Sequence, residues 1–245
     1  MNDEGSPQNL SSHRAEFVKK ALSAYTDPKR RQSLPEYFQA VPGGYGEGDR
    51  FIGVAVPNQR KVAQTFRDLP LSEVAGLLES PVHEHRLTAL FILIEQFDDG
   101  DAEKKESCIE LYLEHLDAVN NWDLVDSSAP PLLGAWLLTR DRAPLFELAG
   151  SGRLWRERAA LMATLAFVRE KDFEDALAIA AYSLGHPHPL MQKAIAWVLR
   201  EIGARDPDRL AAFVEEHRAD IARGTLRAAV GKLPEAMQNR LLETN

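Results

Sequence analysis

Arg86-Leu87-Thr88-Ala89-Leu90 returns in altered form three times further along the chain. Arg158-Ala159-Ala160-Leu161-Met162, Lys193-Ala194-Ile195-Ala196-Trp197 and Arg227-Ala228-Ala229-Val230-Gly231 each begin with a cation and continue with small or apolar residues. Position 122 falls midway between the first two. Placed in register, the starting positions are 86, 122, 158, 193 and 227, with steps of 36, 36, 35 and 34 residues. A period near 35 without any run of alternating apolar and polar residues is the mark of stacked helical hairpins, and small residues after the cation let neighbouring helices approach closely. Leu69-Pro70, Ser80-Pro81, Ala143-Pro144, His186-Pro187 and Asp206-Pro207 punctuate the helix pairs. The expected fold is all-α: a right-handed superhelical solenoid of HEAT-like helical-hairpin repeats with a concave face.

Upstream of the repeats, residues 1–10 read as a disordered tail, and residues 11–245 as a single repeat domain. A first helix is expected over Ser11–Ala24 with Phe17, Ala21 and Leu22 inward. A second is expected over Asp27–Phe38, interrupted near Pro35. Val41-Pro42-Gly43-Gly44-Tyr45-Gly46-Glu47-Gly48-Asp49 is too rich in glycine for regular structure and reads as a loop. It lacks the lysine and the preceding strand of a nucleotide-binding loop, so ATP or GTP binding is excluded and no nucleotide cofactor is expected. The next helix should begin at Pro57-Asn58.

Composition narrows the function classes. No apolar run reaches the length of a membrane span, and the polar, acidic start is not a signal peptide. A single cysteine, Cys108, cannot form an internal disulfide and reads as a buried small hydrophobe. These features point to a cytoplasmic protein. The formal charge of -8 argues against a uniformly basic nucleic-acid binder. Its distribution is uneven. Residues 72–126 hold 14 Asp/Glu against 3 Lys/Arg, whereas residues 140–171 hold 4 against 7 and residues 193–232 hold 6 against 8. A basic stripe on the concave face is compatible with these counts.

The same register locates an unusual pair. In Asn120-Asn121-Trp122-Asp123-Leu124-Val125-Asp126, Trp122 and Asp126 are four residues apart and would share one helix face. They read either as parts of a helix start capped by Asn120 or Asn121, or as chemistry. Trp122 occupies the slot held by Arg86, Arg158, Lys193 and Arg227 elsewhere, and Asp126 the slot of Met162 and Trp197. Equivalent slots of a solenoid line one surface. That groups two indoles, a carboxylate and the cations Arg158 and Lys193. Indole faces attract cations, and basic neighbours would hold a polyanion in register. A positively charged nucleobase on a phosphate backbone satisfies both. Its glycosidic bond breaks without much acid catalysis, and a carboxylate would stabilise the sugar cation and orient water.

Several stretches carry a resemblance. Gly44-Tyr45-Gly46-Glu47-Gly48-Asp49-Arg50-Phe51-Ile52-Gly53-Val54, Asn121–Asp126, Trp155-Arg156-Glu157-Arg158-Ala159-Ala160 and Gln192–Glu201 resemble, in order, the signatures of the AlkD-type DNA alkylation repair family. The resemblance runs from about residue 15 to the C-terminus. It implies a HEAT-like glycosylase acting on N3- or N7-alkylated purines in double-stranded DNA. The implied enzyme is monofunctional, does not flip the base, and has no cofactor or metal; a solenoid with intact terminal helices is expected to be a monomer. It further implies that Asp126 is the catalytic carboxylate, that Trp122 and Trp197 contact the lesion's deoxyribose and phosphate, and that Arg158 contacts the backbone. Related family members bind DNA without excising bases.

Tyr45 is read as a packing or a DNA-contacting residue. Arg86 reaches either DNA or a carboxylate such as Glu84. Lys193, Arg223 and Arg227 are read as phosphate contacts, with Lys232 beside them, or as parts of a solvated face. Trp136 and Trp155 read as packing or surface-covering residues. His83 with His85, and His186 with His188, are too weak as pairs for a metal site.

Overall fold

The computed structural model describes residues 14–243. The tail expected over residues 1–10 lies outside the described residues. Those described are helical, with no strand beyond one isolated bridge between Arg50 and Val82. No helix among them is long and apolar enough to cross a membrane. Contacts gather the chain into two compact units that divide between Ser128 and Ala129.

The first unit contains α1 (Ala15–Ser23), α2 (Pro28–Tyr37), α3 (Val56–Thr65), α4 (Leu71–Leu78), α5 (His83–Asp99), α6 (Ala102–Glu114) and α7 (Trp122–Ser128). α5 is its hub. Most of its residues from His83 to Leu93 are buried, because α1, α3, α4, α6 and α7 pack around it. A helix surrounded on all sides needs no amphipathic stripe. α1 presents Ala15, Val18 and Leu22 to the core, spaced three and four apart. Phe17, expected inward, lies one position off that stripe and is 38% exposed. α2 is opened by Asp27, whose carboxylate accepts from Lys29 N–H at 2.8 Å, with Pro28 at its first position. The expected interruption at Pro35 does not occur. Pro35 stands inside the helix, where its ring keeps a helical φ but gives up the N–H bond to the residue four before it, and the helix ends two residues later at Tyr37. Cys108 is fully buried as expected.

The second unit contains α8 (Ala135–Leu137), α9 (Ala143–Ala149), α10 (Leu154–Ala163), α11 (Leu165–Arg169), α12 (Glu174–Ser183), α13 (Pro189–Gly203), α14 (Pro207–Glu216), α15 (Arg223–Ala229) and α16 (Glu235–Leu242). Its hub is α13, against which α10, α11, α12, α14 and α15 pack. α14 is capped by Asp206 with Pro207 at its first position. His188 Nδ1 accepts from Leu190 N–H at the head of α13.

The dipeptides read as punctuation stand where helices begin. Pro70 directly precedes α4, Pro144 is the second residue of α9, Pro207 opens α14, and Pro81 and Pro187 each lie two residues before a helix. The 35-residue register behaves less uniformly. Arg86 is the fourth residue of its helix, and Arg158, Lys193 and Arg227 are each the fifth, but Trp122 is the first of α7. The environments differ as well. Arg86 and Arg158 are buried, at 4% exposure each, while Lys193 and Arg227 are exposed.

Before α8 the chain widens into a π turn over Pro130–Gly134. Two successive prolines donate no N–H, and Gly134 N–H reaches back five residues to the Ala129 carbonyl at 2.9 Å. Gly134 also lets α10 approach. A Cβ on it would sit 2.2 Å from the Ala163 carbonyl oxygen. Backbone oxygen cannot yield as a side chain can, so Gly134→Ala should destabilise the fold by about 1–3 kcal/mol. A urea unfolding midpoint equal to wild type would contradict this packing.

Candidate active site around Trp122 and Asp126

Trp122 and Asp126 are one turn apart on α7, and both are half-buried. The helix begins with the Asn121 carbonyl accepting from Val125 N–H at 3.0 Å. Neither asparagine serves as the expected side-chain cap. Asn121 is fully buried and its amide has no hydrogen-bond partner among the described residues. Asn120 turns instead to Arg86, whose Nη2 donates to its Oδ1 at 2.9 Å.

The start of α7 is held by a buried polar network that sequence patterning did not reveal. His83, at the first position of α5, lies between two carboxylates. Its Nδ1 is 2.9 Å from Asp49 Oδ2 and its Nε2 is 2.8 Å from Asp123 Oδ2. Arg86 Nη2 donates to the second oxygen of Asp49 at 2.7 Å, and Arg86 Nη1 to the Ser80 carbonyl at 2.9 Å. Burial works against a charged imidazole here. The hydrogen bonds to Asp123 and Asp49 outweigh it and raise the His83 pKa from 6.5 to about 9. Both ring nitrogens therefore donate. Burial also acts to raise the Asp49 pKa, but His83 and Arg86 together hold it below the usual value. The rings of Phe38 and Phe51 lie 4.9 and 5.1 Å from the His83 ring and flank the imidazolium.

One turn position further, Glu84 buries its carboxylate against backbone. It accepts from Gly53 N–H at 2.7 Å, Ile52 N–H at 3.1 Å and Val54 N–H at 3.3 Å. Three successive N–H groups around one anion form a nest. The bend requires Gly53 at φ +84°, where a Cβ would meet the Asp27 carbonyl at 2.3 Å. Asp49 and the residues that follow it are fastened to the head of α5.

The loop also orients Trp122. Its indole N–H donates to Tyr45 Oη at 3.2 Å, and its ring packs against Phe38 at 5.4 Å and Tyr37 at 6.0 Å. Tyr45 therefore has a packing role in this unit. Arg86, read as a DNA or carboxylate contact, is committed to Asp49, Asn120 and Ser80.

In the second unit, Arg158 sits on α10 and donates from Nη1 to the Leu190 carbonyl at the head of α13. Lys193 and Trp197 are one turn apart on α13, exposed and half-buried respectively. Trp197 borders a hollow of about 200 Å³ with Leu165, Val168, Arg169, Glu201 and Arg205. Glu201 bridges Lys232 at 2.7 Å and Arg205 at 2.9 Å, so Lys232 forms an ion pair within the protein. Arg223 and Arg227 are exposed on α15. The histidines have protein partners: His85 Nδ1 pairs with Ser80 at 2.9 Å, and His186 Nε2 with Glu157 at 2.9 Å. Trp136 covers the surface under the Arg140 guanidinium, 3.4 Å from the ring centroid.

Residues 18–233 match the DNA alkylation repair enzyme family, and the chain belongs to it. Its fold is similar to that of a solved structure described as a predicted DNA alkylation repair enzyme from Enterococcus faecalis. The TM-score is 0.67 at 16% identity, over 86% of this chain and 97% of that one. No curated protein matches the chain.

The charge on His83 makes a pH prediction. Its folded pKa of about 9 exceeds the unfolded 6.5. Its contribution is therefore full below pH 6.5 and is lost as pH rises through 9. The shift corresponds to about 3 kcal/mol. Chemical denaturation of the wild type should show stability falling between pH 6.5 and pH 9. His83→Gln should be less stable at pH 6.5 and show a much flatter profile over that range. A wild-type profile that is flat there would remove the imidazolium from the account.

Proposed function

We propose that this alkylation repair protein is a monofunctional DNA glycosylase that hydrolyses the N-glycosidic bond of positively charged N3- or N7-alkylated purines in double-stranded DNA. The observation that carries this reading is a half-buried carboxylate, Asp126, one helical turn from a fixed indole, Trp122, in a chain of this family. In the proposed reaction a water oxygen bonds to the anomeric carbon and the bond to the purine nitrogen breaks. The bonding electrons neutralise the cationic base, and the water's proton passes to solvent. Asp126 stabilises the positive charge developing on the sugar and orients the water. Trp122 packs against the same nucleotide, its ring plane held by Tyr45 and Phe38. The family resemblance assigns Trp197 to the deoxyribose and phosphate and Arg158 to the backbone. Lys193, Arg223 and Arg227 supply exposed cations for phosphates. The fold that would align these groups is the HEAT-like solenoid, with DNA on its concave face and the protein acting as a monomer.

A second reading is a non-catalytic module that binds DNA structure or a protein. The net charge of -8 and the burial of two expected DNA-facing arginines, Arg86 and Arg158, favour it.

Release of free 7-methylguanine from methylated duplex DNA separates the two. The wild type should release base, and Asp126→Asn should lower single-turnover release by about 10²–10³-fold, the loss typical of one preorganised electrostatic group. Wild-type protein that binds duplex DNA with the steep salt dependence of phosphate contacts, yet releases nothing, would establish the binding reading.

A further inference from the structure

α7 carries both Trp122 and Asp126, yet it has only seven residues. A helix of two turns is not stable by itself in water, so its place is set by what grips it. The grip is at its head. Trp122 donates to Tyr45, Asn120 accepts from Arg86, and Asp123 accepts from His83. Asp126 follows three residues after Asp123, about 4.5 Å further along the axis.

His83 has a carboxylate oxygen at each ring nitrogen, Asp49 Oδ2 at 2.9 Å and Asp123 Oδ2 at 2.8 Å. An ionised carboxylate only accepts, so both contacts are hydrogen bonds only while the ring carries two protons. The two partners are unequal. Asp49 also accepts from Arg86, whereas Asp123 has no other side-chain hydrogen bond among the described residues. Few other charges stand around the ring. Arg86 and Glu84 belong to α5 itself, and Glu84 is taken up by the backbone at Gly53. Arg30 of α2 lines the same cavity as His83. Glu16 and Lys19 of α1 act on His85 instead. α3 brings the neutral Gln59, and α4 and α6 make no ion pair with His83 among the described residues. That cavity, about 560 Å³ in the first unit, is lined by His83, Asp123 and Ser127 and walled by the rings of Tyr37, Phe38, Phe51 and Trp122. Released from His83, the head of α7 has open space on that side rather than packed core.

We propose that His83 is a positioning residue for base excision: donating both ring protons, it locks α7 to the end of the glycine-rich loop and so sets where Asp126 and Trp122 meet the nucleotide. The reaction in this proposal rests on the glycosylase reading; the geometry does not. His83 touches no substrate and acts through Asp123. When the ring gives up its second proton, a lone pair faces one of the carboxylates and the tie to α7 weakens. A displacement of about 1 Å at a reacting group costs on the order of 100-fold in rate. The second proton is held until pH rises through about 9, so activity is full at neutral pH and falls on the alkaline side.

Single-turnover release of 7-methylguanine from methylated duplex, followed from pH 6.5 to above pH 9, tests this, with duplex affinity and circular dichroism measured at each pH. The wild-type rate should fall with a midpoint near pH 9 while affinity and helicity hold. His83→Gln should lower the neutral-pH rate by about 10–100-fold and abolish the alkaline fall. Asp123→Asn removes one of the two carboxylates that hold the ring's charge, and its alkaline fall should move down by about one pH unit or more. His83→Arg keeps a permanent cation with donors for both carboxylates, and should restore the rate and hold it through pH 9. A second readout does not need activity. In protein labelled with 5-fluorotryptophan, the Trp122 fluorine signal, assigned by its loss in Trp122→Phe, should move with the same midpoint in the wild type and stay fixed in His83→Arg. A wild-type rate flat through pH 9, or His83→Gln excising at the wild-type rate, would overturn the proposal. So would an alkaline fall that Asp123→Asn leaves in place, which decides the matter if the His83 variants do not fold. If the wild type excises nothing at any pH, the glycosylase reading fails and the fluorine signal alone judges His83. Movement through pH 9 then keeps it as the residue that sets Trp122, and a flat signal removes it.

Discussion

A protonated histidine between two carboxylates, sealed beneath two phenyl rings, holds the first unit's functional corner together. Each of these charges would be costly to bury alone, by several kcal/mol even after relaxation. Paired, they cost far less. His83 spends both ring protons on Asp49 and Asp123, and Arg86 takes the remaining oxygen of Asp49. Their partners come from three separate stretches: the end of the glycine-rich loop, the head of α5 and the head of α7. The network fixes those three against one another more definitely than apolar packing would, because hydrogen bonds have direction. Apolar residues of similar shape could match its stability, but they would not set the register of Trp122.

The orientation of Trp122 follows from that arrangement. With α7 anchored through Asp123 and Asn120, the indole is left one hydrogen bond, to Tyr45, and one aromatic wall, Phe38 and Tyr37. Successive residues of α7 then divide between surfaces. Asp123 and Ser127 line the aromatic cavity. Asp126 is absent from that lining; burial opposes ionisation of the Tyr112 hydroxyl, and the charge of Asp126 adds to that effect. Trp122 is the residue through which cavity and proposed catalytic carboxylate are related.

Electrostatics in this chain is not captured by counting. The second half is richer in cations, yet several of them serve the fold. Arg142 pairs with Asp172 at 2.7 Å and Asp175 at 2.6 Å while covering the Phe167 ring, and Lys232 is held by Glu201. Arg158 gives a donor to the Leu190 carbonyl in the first turn of α13. Those left exposed, Lys193, Arg223 and Arg227 among them, are the ones with which a polyanion can exchange counterions.

The sequence by itself determined the helical class, the places where helices begin, and the family. Proline-bearing caps, missing strand alternation and ordered motifs are local signals, and local signals survive in a linear reading. The pairing of Trp122 with Asp126 was equally legible, because a helix fixes four-residue neighbours regardless of context. What the sequence left undetermined were contacts between distant segments. Nothing local distinguishes Asp49 in a glycine-rich loop, His83 beside His85, or Asp123 at a helix start from ordinary solvated residues; they are separated by 34 and 40 positions. Nor could a repeat register tell buried Arg86 from exposed Arg227, since equal spacing does not ensure equal surroundings. The tertiary structure decided the first, and buried Arg86, by closing the loop onto α5. The corner around Trp122 thus acquired a charged floor, a fixed indole and a cavity.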